Sequence, residues 1–251
     1  MDFSDPIVWT FLPTPLSIDI ADNIVKKLFI YYCIDNFSVS SPSAKKIKKS
    51  EKRLLENTDL VFVTSGELYN YCSMHNDKVY KFPFAVNFKE FEKVRLEDTS
   101  MSIPEEFKSI KSPIIGYVGG VHKWIDQELV KYLAEKYPQY SFVFIGPIQT
   151  DVSKLQVLKN IYFLGKKEHG KLPYFMKYFD VGIIPYLISE YTNNVYPTKL
   201  NEYLALGKPV ISTQLPEIVE FNKKYGDIVC VSEDKEKFGE YINKAINENN
   251  Q

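Results

Sequence analysis

Pro113-Ile114-Ile115-Gly116-Tyr117-Val118-Gly119-Gly120 is an apolar run closed by two glycines, the pattern of a buried strand that turns sharply toward a helix. The same unit recurs downstream. Tyr140 to Ile145 ends at Gly146-Pro147, Asn160 to Leu164 ends at Gly165, and Asp180 to Pro185 feeds a long polar loop. Pro209 to Ser212 and Asp227 to Val231 complete the series. Helical periodicity fills the gaps at Asp126 to Tyr137, near Lys171 to Phe179, from Pro197, and from about Glu233 to Asn247. Short apolar strands alternating with helices predict a parallel sheet with helices on both faces, so residues 112–251 read as one complete, doubly wound, Rossmann-like α/β half.

Upstream, residues 1–100 hold fewer strand candidates: Ile7 to Leu12, Leu28 to Ile34, Leu60 to Val63 and Val79 to Phe82. They predict a partial Rossmann-like half. A stretch rich in Glu, Lys, Ser and Pro over 89–111 reads as the connection, with the linker itself at 101–111.

Whole-chain numbers narrow the function. With 251 residues and a formal net charge of -1, the chain has no general attraction for nucleic acid. Cys33, Cys72 and Cys230 are too few and too scattered for a disulfide framework or a paired-cysteine metal site, and His75, His122 and His169 lie far apart. No metal or cofactor is expected. No apolar run approaches the ~18 residues of a membrane span, and the N-terminus shows neither a basic leader nor a long apolar segment. A cytoplasmic location is the expectation.

Ligands of doubly wound sheets sit beyond the carboxyl ends of the strands, which selects the residues that follow each apolar run. Gly119 and Gly120, with Lys123 behind them, would let backbone approach a phosphate; Gly146 and Gly165 would lie against a nucleobase. Each is equally consistent with ordinary turn chemistry. The richest stretch is Asn194 to Thr213. Pro197 suits a first helical turn, Gly207 with Pro209 supplies the stop, and Leu200, Tyr203 and Leu204 share a buried face. Lys199 and Glu202 fall together on a neighbouring stripe. A lysine in a first turn is misplaced against the partial positive charge of the helix start, and an anion held by Pro197, Thr198 and Lys199 would resolve the conflict. Glu202 would then accept from ribose hydroxyls, while Asn193, Asn194 and Tyr196 would reach sugar hydroxyls. The same residues also fit a surface Lys–Glu pair and turn-forming asparagines. Without a Gly-x-Gly-x-x-Gly or Walker motif, a mononucleotide diphosphate is favoured over a dinucleotide or ATP. In the first half, Asp35 closes a strand and reads as a general base or as the cap of its own turn, the commoner role. The basic run Lys45 to Arg53 reads as a solvated helix face or as a peripheral contact with anionic lipid.

Five segments in this order and spacing resemble the two-domain GT-B glycosyltransferases of the group 1 type: Ile114 to Gly119, Phe144 to Pro147, Asn160 to Gly165, Phe179 to Pro185, and the Pro197 helix with Gly207-Lys208-Pro209-Val210. Asp59 to Ser65 and Pro83 to Asn87 match the first half of that family. The resemblance implies a GT-B-like pair of Rossmann-like halves, the second complete and the first truncated. It implies transfer of sugar from a UDP- or GDP-type donor to a polysaccharide, lipid-linked or other glycoconjugate acceptor, with Lys199 at the diphosphate and Glu202 at the ribose. Where the family often carries a second glutamate, eight positions before Glu202, this chain has Asn194. The alternative is a non-catalytic donor-binding subunit that needs a second chain or an oligomer to complete its acceptor half. Work at the inner face of the membrane would suit either.

Overall fold

A computed structural model of the chain describes residues 4–40, 44–97 and 104–249. The chain divides into two compact units, Met1–Phe84 with Ser189–Tyr196, and Ala85–Ile188 with Pro197–Gln251. Among the described residues no helix is long and apolar enough to cross a membrane.

In the first unit the elements run β1 (Ile7–Thr10), α1 (Pro15–Asp22), β2 (Leu28–Cys33), α2 (Phe37–Ser40), α3 (Ala44–Asn57), β3 (Leu60–Val63), α4 (Gly66–Ser73) and β4 (Val79–Lys81). All four strands are parallel, in the order β1-β2-β3-β4. Local chemistry fixes the helix starts. Thr14 caps α1 by accepting from the Ser17 amide, with Pro15 in the first turn, and Ser65 caps α4 by accepting from Leu68. The core packs Ile18 of α1, Leu54 and Leu55 of α3 and Leu68 of α4 against Phe29, Tyr31, Val61 and Val63. Two residues of the basic run, Ser50 and Glu51, are buried beneath it. Glu51 is buried, accepting from the Tyr31 hydroxyl at 2.6 Å and the Tyr71 hydroxyl at 3.2 Å, while Lys45, Lys46, Lys48 and Lys49 are exposed.

The second unit continues with α5 (Phe88–Leu96), β5 (Ile114–Val118), α6 (Gln127–Lys136), β6 (Ser141–Ile145), α7 (Ser153–Gln156), β7 (Ile161–Phe163), α8 (Leu172–Met176), β8 (Val181–Ile184), α9 (Lys199–Ala205), β9 (Val210–Ser212), α10 (Pro216–Tyr225), β10 (Cys230–Val231) and α11 (Lys235–Asn249). Its parallel sheet has the order β10-β9-β8-β5-β6-β7. Strand order therefore reverses at β5, the doubly wound arrangement, and leaves a switch point between the carboxyl ends of β5 and β8. Gly116 and Gly182 pair across these two central strands. A Cβ on Gly116 would stand 2.0 Å from the Phe179 ring and one on Gly182 2.7 Å from the Tyr203 ring. Their absence lets both rings pack flush against the sheet, fully buried.

Two expectations are corrected. Much of the stretch read as a connection is structured: α5 buries Phe91 and Val94, and a 3₁₀ turn at Glu105–Phe107 sets Phe107 among Phe175, Tyr178 and Phe179. Apolar residues at helical spacing, hidden among many charges, outweigh the polar composition. The units thus separate at Phe84 and not at residue 100; positions 101–103 of the expected linker lie outside the described residues. The helix expected from Pro197 begins at Lys199, preceded by a tighter turn in which the Leu200 amide donates to the Pro197 carbonyl.

Candidate functional site

Three strands of the second unit end side by side in glycine. The Gly119 amide donates to the Ile145 carbonyl and the Gly146 amide to the Gly165 carbonyl, each at 2.9 Å. At Gly146, φ is 153°, and a Cβ there would lie 2.0 Å from the Gly119 carbonyl oxygen, so only glycine allows the chain to pass this closely. The expected donor residues Gly119, Gly146 and Gly165 are thereby brought together, with Gly120 next in line.

Lys199 reaches the same place from α9. A Cβ on Gly119 would stand 3.4 Å from its Cε, and Lys199 is only 6% exposed. The ammonium donates to the Tyr186 hydroxyl at 2.5 Å and lies 4.7 Å and 5.1 Å from the ring centroids of Tyr186 and Tyr117. Tyr117 donates to the Gly120 carbonyl, and its hydroxyl is 3.4 Å from that of Tyr186. Among the described residues no carboxylate forms an ion pair with Lys199. Two aromatic faces and a phenol are weak company for a buried cation, which normally demands a counter-charge.

The neighbours register that charge. Burial pushes the Tyr186 phenol up, but the Lys199 ammonium, with hydrogen bonds around it, more than offsets this and holds it below its ordinary value. Burial pushes the half-buried Glu202 carboxyl above the usual range, against the pull of Lys199 and His169. The loop after Gly120 is tied to the chain after β8: Ile125 bridges Tyr186, and the Leu187 amide donates to the Trp124 carbonyl at 2.8 Å. His122 stacks on Trp124 with centroids 3.9 Å apart. Lys123 and Thr198 are exposed, Pro197 is buried, and Thr198 makes no side-chain cap on α9.

The remaining expected residues belong to the first unit. Asn194 is buried, its amide donating to the Glu190 carbonyl at 2.6 Å, and Tyr196 is buried as well. Asp35 accepts from the Asn36 amide and from the Tyr191 hydroxyl, both at 2.8 Å, so each carboxylate oxygen is engaged. Burial raises its carboxyl, and those two bonds pull it partly back. One bond ties Asp35 to its own turn and the other to the chain at Tyr191.

Tyr117 and Tyr186 were not anticipated. Tyr186 follows the apolar run of β8 directly, where the strand-end rule points, but its role as partner to Lys199 depends on a contact thirteen residues away. A separate cavity of about 520 Å³ between α6 and α11 is lined by Asp126, Glu128, Glu135, Glu233 and Asp234 beside Lys131 and Lys235, an excess of negative charge unsuited to a diphosphate. Among the described residues no group of His, Cys, Asp and Glu is placed to hold a metal ion.

Comparison with known proteins follows the same line. A putative teichuronic acid biosynthesis glycosyltransferase of Bacillus subtilis is 30% identical over 189 residues, 72% of this chain and 47% of that protein. A sucrose-phosphate synthase structure from Thermosynechococcus elongatus superposes with a TM-score of 0.72 at 18% identity, covering 97% of this chain and 65% of the other. An Anabaena protein, HepE, solved with UDP and glucose gives 0.66 at 16% identity, covering 94% and 65%. The chain thus spans about half the length of the curated relative and just under two thirds of the solved ones. The family model described as glycosyl transferases group 1 matches residues 102–251, and the chain belongs to that family.

Proposed function

We propose that this chain binds a nucleoside-diphosphate sugar of UDP or GDP type at the carboxyl ends of β5 and β8, and serves transfer of its sugar to a polysaccharide, lipid-linked or other glycoconjugate acceptor. The buried Lys199 ammonium carries the reading. Among the described residues it has no carboxylate ion-pair partner, it stands against Gly119 at the switch point, and a diphosphate would supply the missing negative charge. Backbone at Gly119 and Gly120 lets phosphate oxygens come close, and Glu202, one turn beyond Lys199, is offered to the ribose hydroxyls. As the sugar departs, negative charge grows on the leaving diphosphate, and a cation already fixed in place stabilises it without reorganisation. The proposed setting is the cytoplasm at the inner face of the membrane, with Lys45 to Arg53 as the contact.

Titration calorimetry tests the reading with UDP and GDP as probes. Lys199→Ala is expected to weaken binding by about 30-fold, the loss of one charge-assisted contact of ~2 kcal/mol; unchanged affinity would sink it. A second reading, donor binding without turnover, is favoured by the engaged state of Asp35 and by Asn194 at the glutamate position. Turnover of the bound nucleotide sugar by the purified chain decides between them.

A further inference from the structure

The sheet of the first unit is covered on one face. Right-handed crossovers that step always in the same direction lay every helix on one side, and the order β1-β2-β3-β4 takes only such steps. The other face is aromatic. The register sets Trp9 beside Ile30, Tyr32 beside Phe62, and Phe62 beside Tyr80. Trp9 and Phe62 lie 5.4 Å apart, Phe62 and Phe82 5.1 Å, while Trp9 is 52% exposed and Phe82 58%. Parallel sheets are almost always buried on both faces, and β3 reads Leu-Val-Phe-Val, the unbroken apolar run of a strand meant for burial on both sides.

The edge beside this face is also open. Among the described residues β1 pairs with β2 alone, so one row of its backbone groups has no strand partner. Around it Ile7, Phe11, Leu16 and Ile20 are all exposed. Large apolar side chains gathered along an open strand edge mark an interaction site.

We propose that this surface docks a second polypeptide built of strand–helix units, one strand pairing in parallel with β1 and apolar helices lying over Trp9, Phe62 and Phe82. Such a unit satisfies backbone edge and aromatic face together. A second copy of this chain fits less well: joined at β1 it brings no helix to the aromatic face, and stacked face to face it leaves β1 unpaired. An anionic bilayer fits less well too. The lysines of α3 sit in the helical layer, on the opposite side of the sheet from Trp9, and lipid offers β1 no partner strand. The proposal is independent of what Lys199 binds.

Site-specific photo-crosslinking in the native host tests it, with p-benzoylphenylalanine in place of Trp9, Phe82 or, as control, Lys48. Positions 9 and 82 are expected to capture one and the same polypeptide, and position 48 to capture none of it. In the complex purified without crosslinker, the amides of Ile7 to Thr10 should exchange at least about tenfold more slowly than in the isolated chain. Trp9→Lys should lower capture at position 82 by about tenfold while leaving circular dichroism and calorimetric nucleotide binding as they are. Capture of a second copy alone, capture of lipid, no capture, or a complex in which β1 exchanges as fast as before would each overturn the proposal.

Discussion

Both sheets begin with the same device and end in different surroundings. In each, an aspartate just ahead of one strand accepts an amide at the start of a neighbouring strand: Asp59 from Phe29, the second residue of β2, at 2.7 Å, and Asp180 from Ile114, the first of β5, at 2.6 Å. From there the winding differs. The second sheet reverses direction at β5, acquires helices on both sides, and buries every residue of β5, β6, β8 and β9. The first never reverses, and β1 and β3 alternate between more and less buried positions although their side chains are almost wholly apolar. Alternation of burial without alternation of polarity is what a parallel sheet shows when one of its layers is missing.

Substitutions can break this contrast, and the largest effect belongs to the completed sheet. Gly146→Ala forces a Cβ into the Gly119 carbonyl at a positive φ and is expected to destabilise the second unit by about 4 kcal/mol in urea unfolding. A loss below about 1 kcal/mol would mean that the strand ends are looser than drawn. Next comes the covered face of the first sheet. Glu51→Ala leaves the Tyr31 and Tyr71 hydroxyls without their acceptor and should cost about 2–3 kcal/mol. Glu51 also carries a pH signature. Burial holds its carboxyl above the unfolded value, so its contribution is fully present below that unfolded value, about 4.3, and is lost as pH rises through the folded one. Relative to Glu51→Gln, the natural chain should therefore lose stability from mildly acidic toward neutral pH; parallel curves would refute this. Tyr191→Phe, which frees one oxygen of Asp35, should cost about 1 kcal/mol. At the small end, Trp9→Lys on the open face should shift the stability of the isolated chain by no more than about 0.5 kcal/mol, against several for a core aromatic.

The sequence made the strands legible because each is a short apolar run closed by Gly, Pro or a polar turn, and all ten lie within the predicted ranges. Polar composition concealed α5, whose Phe91 and Val94 stand among five charged residues, and it concealed Glu51, a buried carboxylate inside a lysine-rich helix. Of the candidate site, Gly119 and Lys199 were readable from position alone, one after a strand and one at the start of a helix. Their company was not. That Lys199 meets Tyr186 and Tyr117, and not Glu202, follows from how α9 packs on the sheet, which no spacing in the chain encodes.

The eight residues Ser189–Tyr196 belong to the first unit although they are flanked on both sides by the second. Emerging from a ribosome at ~5–20 residues per second, the chain would release this last piece of the first unit of order ten seconds after Phe84. Until then Asp35 has no Tyr191 hydroxyl to accept from, and α4 lacks the 3₁₀ turn at Thr192–Asn194 that packs on it. The unit that is synthesised first is therefore the one that waits to be finished, and a stop of translation anywhere before residue 189 would leave it short of a piece.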